Sequence, residues 1–134
     1  MKYAIYITEH SIKEFERQAN RLIKDVNESK TRLLLGQARL VRDRIKQKAP
    51  LGPTGNLKKA VYASAIPPSL SSEAVAFAGV RPRKAPHAHL VEFGHAGPHP
   101  APPHPFVRPA WDEVKFQVAE NIQRGLQKAV ERAV

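Results

Sequence analysis

The sequence predicts an α+β domain in which a long N-terminal helix and a C-terminal helix pack on a small antiparallel sheet, with a proline-rich extended loop before the last helix. Three observations predict it. Apolar residues recur mostly at three- and four-residue steps from Ile12 to Ile45 and again from Trp111 to Val130, the spacing that gives a helix one apolar face. Two segments, 57–66 and 73–80, are rich in small, β-branched and aromatic residues. Eight of the twelve prolines fall between Pro82 and Pro109, where they exclude regular structure over most of the stretch.

Taken in order, residues 2–7 alternate Tyr3, Ile5 and Ile7 against Ala4 and Tyr6, the period of a short strand. Ser11 and Glu14 then form a capping-box pattern that opens the first helix. Its apolar stripe is interrupted at Asn27-Glu28-Ser29-Lys30-Thr31, and Gly36 lowers helix propensity, so a break at 27–31 competes with one continuous helix to Lys48. Pro50 ends it, because the residue before a proline avoids helical angles. The Gly52-Pro53-Thr54-Gly55 turn follows, and the segments 57–66 and 73–80 are expected to pair as a hairpin with Val75 and Phe77 on its core face. The linker Pro67-Pro68-Ser69-Leu70-Ser71-Ser72 continues neither strand. Ala88 to Phe93 reads as a third short strand, and residues 98–103 as an extended, polyproline-like loop. Pro109 suits the first turn of the last helix, whose apolar face runs Trp111, Val114, Val118, Ile122, Leu126 and Val130. Trp111 is expected to anchor the core.

The 134 residues suffice for one hydrophobic core, and residues 1–134 are read as a single domain with a flexible or partner-binding loop at about 94–105. No cysteine is present, which excludes disulfides and thiolate zinc sites and fits a protein made in a reducing cytoplasm. The apolar stretch at the N-terminus is too short for a signal peptide, and no run reaches membrane-spanning length. The formal charge is +10, distributed as +6 over residues 1–50, +4 over 51–110 and zero over 111–134. Such a field favours a polyanion or an acidic partner without reading base sequence.

Catalysis requires a nucleophile, a base and an orienting group to converge, and the sequence offers no such set. Glu92 has no carboxylate partner nearby, Ser69, Ser71 and Ser72 belong to a turn, and Pro53-Thr54-Gly55 lacks a phosphate-binding lysine. No enzymatic activity and no cofactor are expected. His87, His89, His95, His99 and His104 crowd into eighteen residues, but their proline-rich spacing gives no ligand register, so no metal is expected either. Two other groups stand out. Lys58, Lys59, Arg81, Arg83 and Lys84 flank the hairpin and are candidates for lining a DNA channel or docking an acidic ring, with Arg39, Arg42, Arg44, Lys46 and Lys48 approaching along the first helix. Leu57, Glu92, Phe93, Gly94, Phe106 and Arg108 are candidates for a subunit or partner interface. Within that group, Leu57, Phe93 and Phe106 are apolar anchors expected to insert beside turns at Gly55, Gly94 and Pro105.

The order of Ala49-Pro50, Thr54-Gly55-Asn56-Leu57, Val91-Glu92-Phe93-Gly94 and Pro105-Phe106-Val107-Arg108-Pro109-Ala110 resembles the neck or tail-completion proteins of long-tailed phages, the gene-product-ten-like family of lambdoid siphophages. The resemblance covers roughly residues 10–130. It implies a non-enzymatic virion protein, made in the host cytoplasm, that forms a ring at the head-to-tail junction. Six subunits would match a six-fold tail. The implied partners are the head connector, adaptor or stopper on one side and the tail terminator or tail tube on the other, with possible non-specific contact to genomic DNA and none to membrane. A tail terminator or head-tail adaptor role in the same machine is the nearest alternative, and a free-standing basic, non-specific DNA-binding protein is the second.

Overall fold

Forty consecutive residues, Glu9–Lys48, form helix α1, about 60 Å long at roughly 1.5 Å per residue. The computed structural model of the chain describes residues 7–51 and 55–133. The strand expected over 2–7 lies outside the described residues except for Ile7, which belongs to no regular element. The helix starts one turn earlier than its capping-box pattern suggests. Thr8, in extended conformation, is the N-cap, and its Oγ1 accepts the Ser11 N–H at 3.1 Å, so Ser11 already lies inside the first turn. The break considered at 27–31 does not occur. The Thr31 hydroxyl donates to the Asn27 carbonyl at 2.9 Å, which satisfies it without leaving the helix, and these residues border a shallow cleft shared with Pro67 and Pro68. At the C-terminus Ala49 turns extended ahead of Pro50 while its N–H still reaches the Ile45 carbonyl.

Gly55 adopts a left-handed conformation, φ 66°, and opens a single helical turn, α2 (Asn56–Lys59). The expected strand from Leu57 therefore begins only at Val61, because Leu57 turns inward from this helical turn and is buried. Strands β1 (Val61–Ile66) and β2 (Val75–Val80) form a two-stranded antiparallel sheet, closed by a turn in which the Ser69 N–H donates to the Ser72 carbonyl at 3.0 Å.

The register pairs Val61 with Val80, Ala63 with Ala78 and Ala65 with Ala76. Val61 is buried, and Ala78 and Val80 pack on the core, so this is the inward face. The expectation that Val75 and Phe77 face the core is thus reversed: they share the outer face with Tyr62 and Ile66 and are more than 40 % exposed. Small side chains occupy the inner face because α1 packs directly against both strands.

Ala88–Phe93 forms a short helix, α3, and not the expected strand. The chain is already turning at Ala85 and His87, whose carbonyls accept from Ala88, Leu90 and Val91, and helical spacing puts Ala88, Val91 and Glu92 on the inner side together. The following loop is folded back where an extended arm was expected. Gly94 and Gly97 take positive φ, and His95 and Ala101 exchange two backbone hydrogen bonds of 3.0 Å across the loop.

Helix α4 (Val107–Ala133) carries Pro109 in its first turn, as expected, and runs antiparallel to α1. Glu113 bridges Arg44 and Lys48, Asn121 Nδ2 donates to Gln37 Oε1 at 3.0 Å, and Gly125 lies against Leu33. The buried stripe is Ala110, Val114 and Val118. Trp111 does not anchor the core; one position round the helix from Ala110, it sits on the flank and is 42 % exposed. Ile45 and Phe106 are the largest fully buried side chains, and the core gathers around them from α1, α2, β1 and α4.

Candidate functional site

A helix N-terminus presents backbone N–H groups with no partner inside the helix, together with the positive end of the helix dipole. At the start of α4 a single carboxylate meets both. Glu92, at the end of α3 and only 8 % exposed, accepts from the backbone N–H of Phe106 at 2.8 Å and of Val107 at 3.0 Å through Oε2, and from that of Arg108 at 3.1 Å through Oε1. The returning loop is held to the same place by the His104 N–H on the Val91 carbonyl at 2.8 Å.

Gly94 makes the return possible. Its φ is 73°, and a Cβ there would stand 2.8 Å from both the Ala101 carbonyl oxygen and the Pro103 nitrogen. The two sequence motifs Val91-Glu92-Phe93-Gly94 and Pro105-Phe106-Val107-Arg108 are therefore the two halves of one joint. The first supplies the cap and the turn, and the second supplies the helix start.

The six candidate interface residues divide by exposure. Leu57, Glu92 and Phe106 are buried and Gly94 is half-buried, whereas Phe93 and Arg108 project into solvent. The expectation that Phe93 inserts beside the Gly94 turn does not hold: it is 78 % exposed, because α3 turns Val91 and Glu92 inward and leaves the next position outside. Leu57 and Phe106 are inserted as expected.

The five candidate cations come together. Val61 pairs with Val80 and the Arg81 N–H donates to the Ala60 carbonyl at 2.9 Å, so Lys58 and Lys59 on one strand approach and Arg81, Arg83 and Lys84 on the other exit share the open end of the hairpin. The Arg81 guanidinium lies 4.6 Å from the Tyr62 ring centre. Among the described residues no carboxylate pairs with any of the five. Three of the five α1 cations differ: Arg42 pairs with Asp43, and Arg44 and Lys48 converge on Glu113. The hydrogen bond from Lys48, with Arg44 close by, holds the Glu113 carboxyl below its ordinary range. His87, His89, His95, His99 and His104 are all exposed, and among the described residues no group of three or more potential ligands converges.

One feature had no sequence signal. A groove of about 1070 Å³ opens between β2, α1, α3 and α4, lined by Ala38, Val41, Ala76, Phe106, Trp111 and Ile122 among others. Residues of both parities from β2 and none from β1 line it, so it follows the free edge of β2 and not a sheet face.

A family model described as "Bacteriophage HK97-gp10, putative tail-component" matches residues 13–94, more than half of the chain. The chain belongs to this family. The matched span takes in α1 from Lys13 onward, the hairpin and α3 and stops at Gly94, one residue beyond the helix that carries the Glu92 cap. No curated protein matches the chain, and no solved structure does. Family membership makes this a component of the bacteriophage tail, a structural class, with other tail proteins as its surroundings. Among the described residues no helix is long and apolar enough to cross a membrane.

Proposed function

We propose that the chain is a non-enzymatic structural protein of the virion neck, acting as one domain over residues 1–134 and forming a closed homo-oligomeric ring at the head-to-tail junction. The ring joins the head connector, adaptor or stopper to the tail terminator or tail tube and surrounds the DNA channel. Six subunits fit a six-fold tail. The observation that carries this reading is the set of large apolar side chains left exposed on separate faces of a tail-family protein: Phe15 on α1, Phe77 on β2 and Phe93 at the end of α3. Apolar surface of this kind marks contacts with partners, and contacts through two different faces of each copy generate rings when the rotation closes.

The five cations at the open end of the hairpin supply the channel. Four of them are exposed and Lys58 is half-buried, and with no carboxylate partner among the described residues they can meet phosphates from any DNA sequence. The test is particle imaging together with a Lys58→Ala, Arg81→Ala and Arg83→Ala triple variant studied at two salt concentrations. Repeated copies around the neck axis, and DNA retention that weakens with salt in the variant at an unchanged melting temperature, are the expected results. A single copy per particle overturns the ring. Normal DNA retention at both salt concentrations overturns the channel role.

A further inference from the structure

A two-stranded sheet leaves one edge of each strand without a neighbour. In β2 that edge faces a groove, and exposed edges with apolar walls are templates for strand addition. The inward side chains of β2 are small, Ala76 and Ala78, so a strand laid beside them at about 4.8 Å finds room for large apolar side chains before it meets α4. The groove is thus shaped for an extended segment that alternates large apolar residues.

Among the residues that precede α1, most of them outside the described ones, the sequence contains one such segment. Residues 2–7 place Tyr3, Ile5 and Ile7 on one side and Lys2, Ala4 and Tyr6 on the other, and their six positions equal the six of β2. They precede α1, which rises about 37 Å between Glu9 and Leu34, the first α1 residue to line the groove. Fully extended, six residues span only about 20 Å. Residues 2–7 are therefore too short to pair along the whole of β2 of their own chain. The first turns of α1 also carry Ile12, Phe15, Leu22 and Ile23 exposed, an apolar surface that leads away from the core toward the segment.

We propose that the groove is filled between copies: residues 2–7 of one subunit add as a third strand to the free edge of β2 of the next, with the apolar side of early α1 lying on that neighbour. Donor and acceptor are different parts of the chain, so each copy gives one strand and takes one, a head-to-tail contact that closes into a ring or propagates. The inference rests on the self-assembly proposed above and names the surface that performs it.

The absence of cysteine from the chain allows a direct test on residues 1–134. An Ile5→Cys variant is mixed in turn with differently tagged Ala74→Cys, Ala76→Cys and Ala78→Cys variants and oxidised, with Lys128→Cys on α4 as the control. Expected is an interchain disulfide in at least one of the three mixtures and none in the control, since a disulfide needs Cα atoms within about 7 Å. In parallel, Ile5→Asp should weaken self-association at least about tenfold with unchanged circular dichroism and melting, since residue 5 precedes α1 and the core cluster is built from later elements. Oligomers that form equally well with Ile5→Asp and give no cross-link overturn strand exchange and leave the ring standing. A chain that stays monomeric at every concentration, or a 5–76 bond formed within one chain carrying both cysteines, also overturns it. So does capture of a different tail protein at Ala76→Cys while Ile5→Cys stays unreacted.

Discussion

The Glu92 carboxylate and the Phe106 backbone N–H lie 2.8 Å apart, fourteen residues distant in sequence, and their bond fixes where α4 begins. Replacing Glu92 by alanine leaves three N–H groups at that start without their acceptor, in a place with little access to water. Each such group costs about 1–3 kcal/mol when buried, and loss of a cap alone costs about 0.5–2 kcal/mol. Glu92→Ala should therefore destabilise by about 2–4 kcal/mol, and Glu92→Gln, which keeps one acceptor oxygen, by clearly less. Urea unfolding measures both, and equal midpoints for the alanine variant and wild type would refute the capping role.

Two phenylalanines drawn from neighbouring motifs should behave oppositely. Phe106 is 1 % exposed and Phe93 78 %. Phe106→Ala should lose about 3–5 kcal/mol, the usual cost of truncating a buried aromatic. Phe93→Ala should stay within about 0.5 kcal/mol of wild type and act on assembly yield instead. Thermal melts of the two variants separate the predictions, and a large stability loss in Phe93→Ala would contradict them.

Gly36 and Gly125 both sit inside helices, yet only one has room for a side chain. Nothing lies within 4 Å of a Cβ built on Gly36, whereas one on Gly125 would stand 2.6 Å from both Leu33 methyl carbons. Gly36→Ala should stabilise by about 0.5–1 kcal/mol through helix propensity. The same change at Gly125 must displace Leu33 at the crossing of α1 and α4 and should forfeit that gain. Denaturation midpoints that rise equally in both variants would show that the helices do not meet there.

The ion pairs of Glu113 give stability a pH dependence whose sign is fixed. Its folded pKa is lowered, chiefly by the Lys48 hydrogen bond, so the unfolded chain binds the proton more readily. The contribution is complete above the ordinary glutamate value of 4.5 and disappears as pH falls through the lower folded value. Glu113→Gln should flatten that part of the acid limb in a pH series of melting temperatures. Because the pair is at the surface, added salt should shrink the difference between the proteins. A wild-type and variant difference that grows toward acid would reverse the assignment.

The helices were legible because their signal is local: apolar spacing set α1 and α4, and Pro50 and Pro109 marked a stop and a start. The hairpin was legible as a pair of segments but not in its facing. Phe77 and Val75 are the larger residues, yet register with β1 places the alanines inward, where α1 comes close. Ala88 to Phe93 was read as a strand because short apolar runs carry no period long enough to decide, and the turn at Ala85 and His87 decided it. The sequence singled out Glu92 as a candidate interface residue within the Val91-Glu92-Phe93-Gly94 motif. Its partners are backbone N–H groups, which no residue type announces. Trp111 and Phe93 show the same limit from the other side, since size marks a residue as an anchor without saying whether the anchor is turned toward its own core. The edge groove depends on the distance between β2 and α4, which has no counterpart in composition or spacing.

Helix α1 is packed at one end only. Its buried residues are Ala38, Val41 and Ile45, and with Gly125 against Leu33 the antiparallel α4 reaches its end at about the level of Asp25. Before that point the helix is supported by Thr8 and by ion pairs such as Glu9 with Lys13 and Glu14 with Arg17, and a segment of this length is marginal on such support alone. Amide protons should thus exchange with solvent on a gradient, slowest at the root beside Ile45 and fastest toward Glu9, with the outer turns opening while the core stays shut. A rod that is firm at one end and loosely wound at the other can search for a neighbour cheaply and harden only where it is gripped.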